Sequence, residues 1–167
     1  MTLATHAVAG AAVASFTPAH PLIGFCAGFV SHFALDAVPH WNYRVRSASL
    51  DPTRGGPITF NGDLLIDAIA IFIDGGIGIA LVVVLFFNPL ALPAILAGAL
   101  GGLLPDFLHF VHTRLPNMGL KAFTRLHIRI QQEIFHERPL IGLLTQAGWI
   151  AGLVIAFFII KVGLLHP

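Results

Sequence analysis

Charged residues and cysteine are both scarce in this chain. Only 10% of its 167 residues are charged, whereas 56% are hydrophobic. A soluble domain has an apolar share of about 45–50%, so the composition excludes a soluble domain and predicts an integral membrane protein. The single cysteine, Cys26, excludes a disulfide within one chain. Any metal site is therefore expected to use nitrogen and oxygen ligands.

Linkers and processing signals are also missing. No Pro/Ser-rich linker, low-complexity tract or internal repeat divides residues 1–167, so we expect a single transmembrane helical domain. The opening residues, MTLATHAVAG, lack the basic region of a secretory signal. We therefore expect the first apolar stretch to be a retained helix.

The apolar runs predict an all-α bundle with about five transmembrane segments, because a span needs about 20 apolar residues. The predicted segments are 3–16, 21–38, 64–87, 90–111 and 140–165. The first is the shortest, since about 14 residues at about 1.5 Å each reach about 21 Å. It would cross only with help from local thinning of the bilayer or from its flanks.

Basic residues predict the orientation of the bundle. If all five segments span, loops 41–62 and 113–139 lie on the same side as the N-terminus. The basic residues of these loops are Arg44, Arg46, Arg54, Arg114, Lys121, Arg125, Arg129 and Arg138, and only Lys161 lies elsewhere. By the positive-inside rule that side is cytoplasmic. We therefore expect a multi-pass protein of the inner membrane with a cytoplasmic N-terminus.

The second of these loops has a helical pattern of its own. Its basic stripe consists of Lys121, Arg125, Arg129 and Gln132, and its apolar stripe of Phe123, Leu126, Ile130 and Ile134. This spacing predicts a cytoplasmic interfacial amphipathic helix in contact with membrane lipids. A plain surface helix on anionic lipid heads is the alternative.

Small residues recur with the spacing that lets membrane helices approach closely. The pairs are Gly24 with Gly28, Gly98 with Gly102, and Gly148 with Gly152. This GxxxG spacing is typical of ordinary helix packing in membranes. The same close packing would hold ligands from different helices near one ion.

Histidines and aspartates lie within or at the edges of the apolar runs, where each charge costs about 2.5–3.5 kcal/mol at a bilayer centre. His32, Asp36 and His40 recur every four residues and therefore share one helix stripe. In the fourth segment, Pro105 precedes Asp106 and can bend the helix just before this acid. Imidazole and carboxylate groups in this arrangement predict a divalent metal site, with zinc favoured and manganese or iron as alternatives.

We name eight candidate metal ligands and two candidate catalytic acids. The ligands are His6, His32, Asp36, His40, Asp67, Asp106, His109 and His127, and the acids are Asp63 and Glu137. Asp63 is equally well explained as a helix N-cap, and the role of Asp74 stays open. His20, His112 and His166 are interpreted as interfacial histidines.

Four short stretches resemble a known family. ATHAVAGAA, SHFALDAVPHW, GLLPDFLHFVH and LHIRIQQEIFHERPLIG are similar to the membrane-bound metal-dependent hydrolases, small bacterial integral membrane proteins likened to zinc-dependent phospholipases C. The resemblance implies ligand roles for His6, Asp106 and His109. The chain lacks an HRGxTH-like second motif, and only His127, His136 and Glu137 stand in its place.

These observations favour a metal-dependent hydrolase that acts at the cytoplasmic leaflet on a phosphate-bearing lipid or isoprenoid, by metal-activated water. Two alternatives stay open: a divalent cation or proton transporter, for which Asp74 is the best evidence, and a non-catalytic membrane scaffold stabilised by metal. Nucleic acid is not expected as a partner, because the basic residues are few and lie next to the membrane. The sequence leaves the oligomeric state open.

Overall fold

The computed structural model describes residues 1–43, 45–47, 60–115, 118–133 and 138–165. Within these ranges the chain is all-α. The helices are α1 (Leu3–Ala14), α2 (Pro21–Asp36), α3 (Gly62–Phe86), α4 (Leu92–Arg114), α5 (Lys121–Ile130) and α6 (Pro139–Leu165). The bundle therefore has the predicted helical class.

Among the described residues, three helices, not five, are long and apolar enough to span a membrane, namely α3, α4 and α6. This indicates a membrane-embedded protein. Helix α1 has 12 residues and α2 has 16, which correspond to about 18 and about 24 Å, short of a hydrocarbon core of about 30 Å. The five-span prediction was wrong because it took the apolar residues of α1 and α2 for a lipid-spanning signal.

Helix α1 lies inside the bundle, where α2, α3, α4 and α6 pack against it. All but two of its residues are buried. A helix that is apolar on every face is stable only when it is enclosed, and its alanines and glycines keep it thin enough to be surrounded. By contrast, α3 and α6 leave many large apolar side chains exposed, including Phe72 and Ile159.

Glycines set the spacing between α1, α2 and α4. A Cβ atom added at Gly10 or Gly28 would collide with the backbone carbonyl of Gly98, and one added at Gly102 would collide with the carbonyl of His6. Two of the predicted small-residue pairs therefore lie where helices approach closely. The third pair, Gly148 and Gly152, lies on α6. A Cβ atom added at either glycine would meet no atom of another described residue within 4 Å.

The short segment after α5 is fastened to the end of α2. The backbone N–H of Gln132 donates to Asp36 O at 2.8 Å, and the N–H of His40 donates to Gln132 O at 3.1 Å. Residues His40 and Glu133 form an isolated parallel bridge there. These bonds hold α5 across the end of α2 and so fix the position of His127.

The amphipathic helix predicted in the second loop is α5. The basic residues Lys121, Arg125 and Arg129 are exposed as expected, but the buried face carries Thr124 and His127. In the predicted apolar stripe, Leu126 is exposed, whereas Phe123 and Ile130 are partly buried. Gln132 lies after the end of the helix, and Ile134 lies outside the described residues. The buried face is polar because it covers a cluster of histidines and aspartates.

Asp74, in the middle of α3, caps the N-terminus of α1. Its Oδ2 accepts from the backbone N–H of Leu3 at 2.7 Å and its Oδ1 from that of Ala4 at 3.1 Å. The first N–H groups of a helix have no partner within the helix, and a carboxylate also interacts favourably with the helix dipole there.

Burial, together with the neighbouring Asp74, raises the pKa of Tyr43 above its ordinary value.

We predict that Asp74→Ala destabilises the protein by about 1–3 kcal/mol, because two partly buried N–H groups lose their acceptors. Thermal unfolding in detergent, followed by circular dichroism, measures this loss. Asp63→Ala is the matched control, since Asp63 is exposed in the first turn of the same helix. Equal melting temperatures for the two variants would contradict the capping role.

Candidate metal centre

Four ionisable side chains converge at one end of the bundle. They are His32 and Asp36 from α2, Asp106 from α4 and His127 from α5, and we call them the four-ligand cluster. One ligand atom from each lies within 4.8 Å of all the others. The chain separates Asp36 from His127 by 91 residues, so the tertiary fold, not local sequence, assembles the cluster.

The distances within the cluster match the edges of a coordination polyhedron. The Nε2 atoms of His32 and His127 are 3.0 Å apart, and they lie 3.2 and 3.0 Å from Asp36 Oδ2. Their distances to Asp106 Oδ1 are 3.8 and 3.6 Å. Ligands at about 2.0–2.1 Å from a tetrahedral zinc ion are about 3.3 Å from one another. The four atoms are therefore spaced as ligands of one cation.

A backbone contact orients the ring of His32. Its Nδ1 lies 2.8 Å from the carbonyl oxygen of Gly102, which can only accept, so Nδ1 carries the proton and Nε2 presents its lone pair to the cluster. Metal-binding histidines are commonly oriented by such a second hydrogen bond. Gly102 also lies against the backbone carbonyl of His6 on α1, so the same glycine brings α1 and α4 together beside the site.

Burial makes the cluster costly without a positive charge. His32, Asp36 and His127 are fully buried, and only Asp106 is partly open, with 24% of its side chain exposed. A buried carboxylate must be paired or must coordinate a cation. The pair of Nε2 atoms at 3.0 Å cannot both present lone pairs at that distance without a proton or a cation between them. The donor set suits a divalent ion that accepts nitrogen and oxygen ligands.

Two further histidines approach the other oxygen of Asp36. His6 Nε2 lies 3.2 Å and His40 Nε2 lies 3.7 Å from Asp36 Oδ1. Both side chains are fully buried, and neither Nε2 has a hydrogen-bond partner among the described residues. Burial lowers the pKa of His40 below its ordinary value, which favours the neutral imidazole.

The other predicted site residues lie outside the four-ligand cluster. Asp67 is buried but accepts a hydrogen bond from the backbone N–H of Ser47, so it fastens the loop before α3. Asp63 is exposed, and Asn61 is the N-cap of that helix. The His109 ring packs edge-on against that of His127, with centroids 5.2 Å apart. Glu137 lies outside the described residues.

Gln146 is a polar residue near the site that the sequence analysis did not single out. Its amide oxygen accepts from the Thr2 N–H at 3.0 Å and from the Thr5 hydroxyl at 3.3 Å, and its amide nitrogen donates to Trp41 O at 2.6 Å. Gln146 therefore joins α6 to the start of α1 and to the segment after α2. Gln146 and its neighbour Thr145 are polar residues in an otherwise apolar stretch of α6, and this was the available signal.

Comparison with protein-family models, with curated proteins and with solved structures finds no match for this chain. The geometry of the site is therefore the basis for its proposed function.

Proposed function

We propose that this chain is a membrane-embedded, metal-dependent hydrolase that acts at the cytoplasmic leaflet. The observation that carries the proposal is the four-ligand cluster, in which two imidazole nitrogens and two carboxylate oxygens lie within 4.8 Å of one another. A divalent cation held there, zinc by preference, would acidify a water molecule and neutralise charge on a phosphoryl group.

The residues of the chain have distinct roles in this proposal. His32, His127 and Asp36 would hold the cation from the buried side, and the carbonyl of Gly102 would keep the His32 ring in its binding orientation. Asp106 is the partly exposed member, so we place the approach of water and substrate on its side. Hydrolysis adds water at phosphorus and breaks the phosphorus–oxygen bond to the lipid, whose oxygen leaves with a proton.

A phosphate-bearing lipid or isoprenoid is the substrate class that the surroundings favour. Lys121, Arg125 and Arg129 are exposed on α5, the helix that also supplies His127. Basic residues on a surface helix attract anionic headgroups. The lipid substrate would therefore meet positive charge beside the metal ligands. Inner-membrane location with a cytoplasmic N-terminus is part of this proposal, because α5, which carries exposed basic residues, lies at the end of the bundle that holds the site.

We expect the purified protein in mixed micelles to release phosphate from phosphatidic acid or a polyprenyl diphosphate. Excess chelator should abolish the release, and zinc or manganese should restore it, because the cation activates the water. His127→Ala should lose at least about 100-fold in rate, whereas His20→Ala, at an exposed histidine outside the cluster, should not change it. Full activity in excess chelator would refute the proposal.

A non-catalytic scaffold is the second candidate, and the near-complete burial of the cluster favours it. Structural zinc sites are closed by four protein ligands, whereas catalytic sites leave one position open. Metal-loaded protein without phosphate release, combined with a lower melting temperature after chelation, would identify this role. The transporter alternative loses its best evidence, because Asp74 caps α1.

A further inference from the structure

Asp36 has one oxygen in the four-ligand cluster and the other oxygen outside it. Oδ2 lies 3.0 Å from His127 Nε2 and 3.2 Å from His32 Nε2. Oδ1 faces a different pair of imidazoles, with His6 Nε2 at 3.2 Å and His40 Nε2 at 3.7 Å. A carboxylate that presents each oxygen to its own histidine pair has the arrangement of a bridging ligand.

Asp106 repeats this division. Its Oδ1 lies 3.8 Å from His32 Nε2 and 3.6 Å from His127 Nε2, whereas its Oδ2 lies 4.0 Å from His6 Nε2. Asp106 therefore faces both histidines of the first pair and His6 of the second pair. The rings of His6 and His32, one from each pair, are stacked with centroids 3.9 Å apart, which sets the two groups of ligands side by side.

In the second pair, a backbone contact orients the His40 ring. His40 Nδ1 lies 2.7 Å from the carbonyl oxygen of Val38, which can only accept a proton, so His40 Nε2 presents its lone pair. This Nε2 and that of His6 are both buried without a hydrogen-bond partner among the described residues. A buried nitrogen without a partner is unfavourable unless a proton donor or a cation reaches it.

We propose that the centre holds two cations, the second bound by His6 Nε2, His40 Nε2, Asp36 Oδ1 and Asp106 Oδ2. This inference rests on the proposed function, since the first cation is the one held by the four-ligand cluster. Two-metal sites with ions about 3.5–4 Å apart hold both the attacking and the leaving oxygen of a phosphoryl group. The Met1 amino group also lies 3.1 Å from Asp36 Oδ1, and it is the rival source of positive charge at this oxygen.

Metal analysis of the protein distinguishes a second cation from the Met1 amino group as the positive charge at Asp36 Oδ1. After loading with Mn²⁺ and desalting, we expect about two ions per wild-type chain and about one per chain in His40→Ala. His20→Ala, at an exposed histidine, is the matched control and should keep both ions. Size-exclusion chromatography and circular dichroism in detergent verify that each variant is folded.

Electron paramagnetic resonance tests the spacing of the ions. Wild-type protein loaded with Mn²⁺ should give the broadened signal of an exchange-coupled pair, and His40→Ala should give the hyperfine pattern of isolated Mn²⁺. One ion per wild-type chain, with the isolated pattern, would overturn the second site and leave the first intact. No bound metal in the folded wild type would overturn both the second site and the proposed function.

Discussion

Asp36→Asn should abolish stoichiometric metal binding. The substitution keeps the size and shape of the side chain but removes the negative charge that faces all four of His6, His32, His40 and His127. Loss of a residue that merely orients a ligand weakens metal affinity by about 10- to 100-fold, so loss of the shared carboxylate should cost more than about 100-fold. Elemental analysis of the purified, desalted variant measures the effect.

The control for this experiment is Asp63→Asn, which changes an exposed carboxylate in the first turn of α3. It should retain the metal content of the wild type. A melting temperature for each variant separates loss of metal from loss of fold. Undiminished metal in Asp36→Asn would show that this carboxylate is no ligand, and the proposed centre would be wrong.

Gly28→Ala should destabilise the bundle by about 1–3 kcal/mol or more, the range for overpacking a close contact. The added Cβ would collide with the carbonyl oxygen, the carbonyl carbon and the Cα of Gly98. These are backbone atoms and cannot rotate away. Helices α2 and α4 would have to separate. Since these helices carry His32, Asp36 and Asp106, bound metal should decrease together with stability. Thermal unfolding in detergent and metal analysis measure both effects.

Gly152→Ala is the matched control for this substitution. Gly152 also lies in a GxxxG pair, but no other atom lies within 4 Å of the Cβ it would gain. Its variant should unfold like the wild type, or slightly later, because alanine favours helix over glycine by about 1 kcal/mol. Equal destabilisation of the two variants would contradict the proposed role of close packing between Gly28 and Gly98.

The sequence predicted the helical class and most of the helix bounds, because long apolar runs and prolines mark them directly. It did not predict which helices span. Helix α1 has the composition of a lipid-facing segment, yet its residues are buried by neighbouring helices. Apolar periodicity is the same in both environments, so only the tertiary packing distinguishes a helix enclosed by protein from one enclosed by lipid.

The sequence likewise predicted only part of the candidate site, because it shows local spacing but not tertiary contacts. His32, Asp36 and His40 share a helix stripe, and i to i+4 spacing can be read from one segment. Asp67 and Asp74 also share a stripe of α3, but they accept backbone hydrogen bonds from Ser47, Leu3 and Ala4. A capping carboxylate and a ligating carboxylate look alike in sequence, because their partners lie far away along the chain.

The proposed ligands of the centre come from four different helices, α1, α2, α4 and α5. An unfolded chain cannot hold these side chains around one point, so an ion that binds here stabilises only the native state. Ion concentration should therefore set the melting temperature of the protein. Depletion of the ion in a cell would lower the amount of folded protein as well as the occupancy of the site.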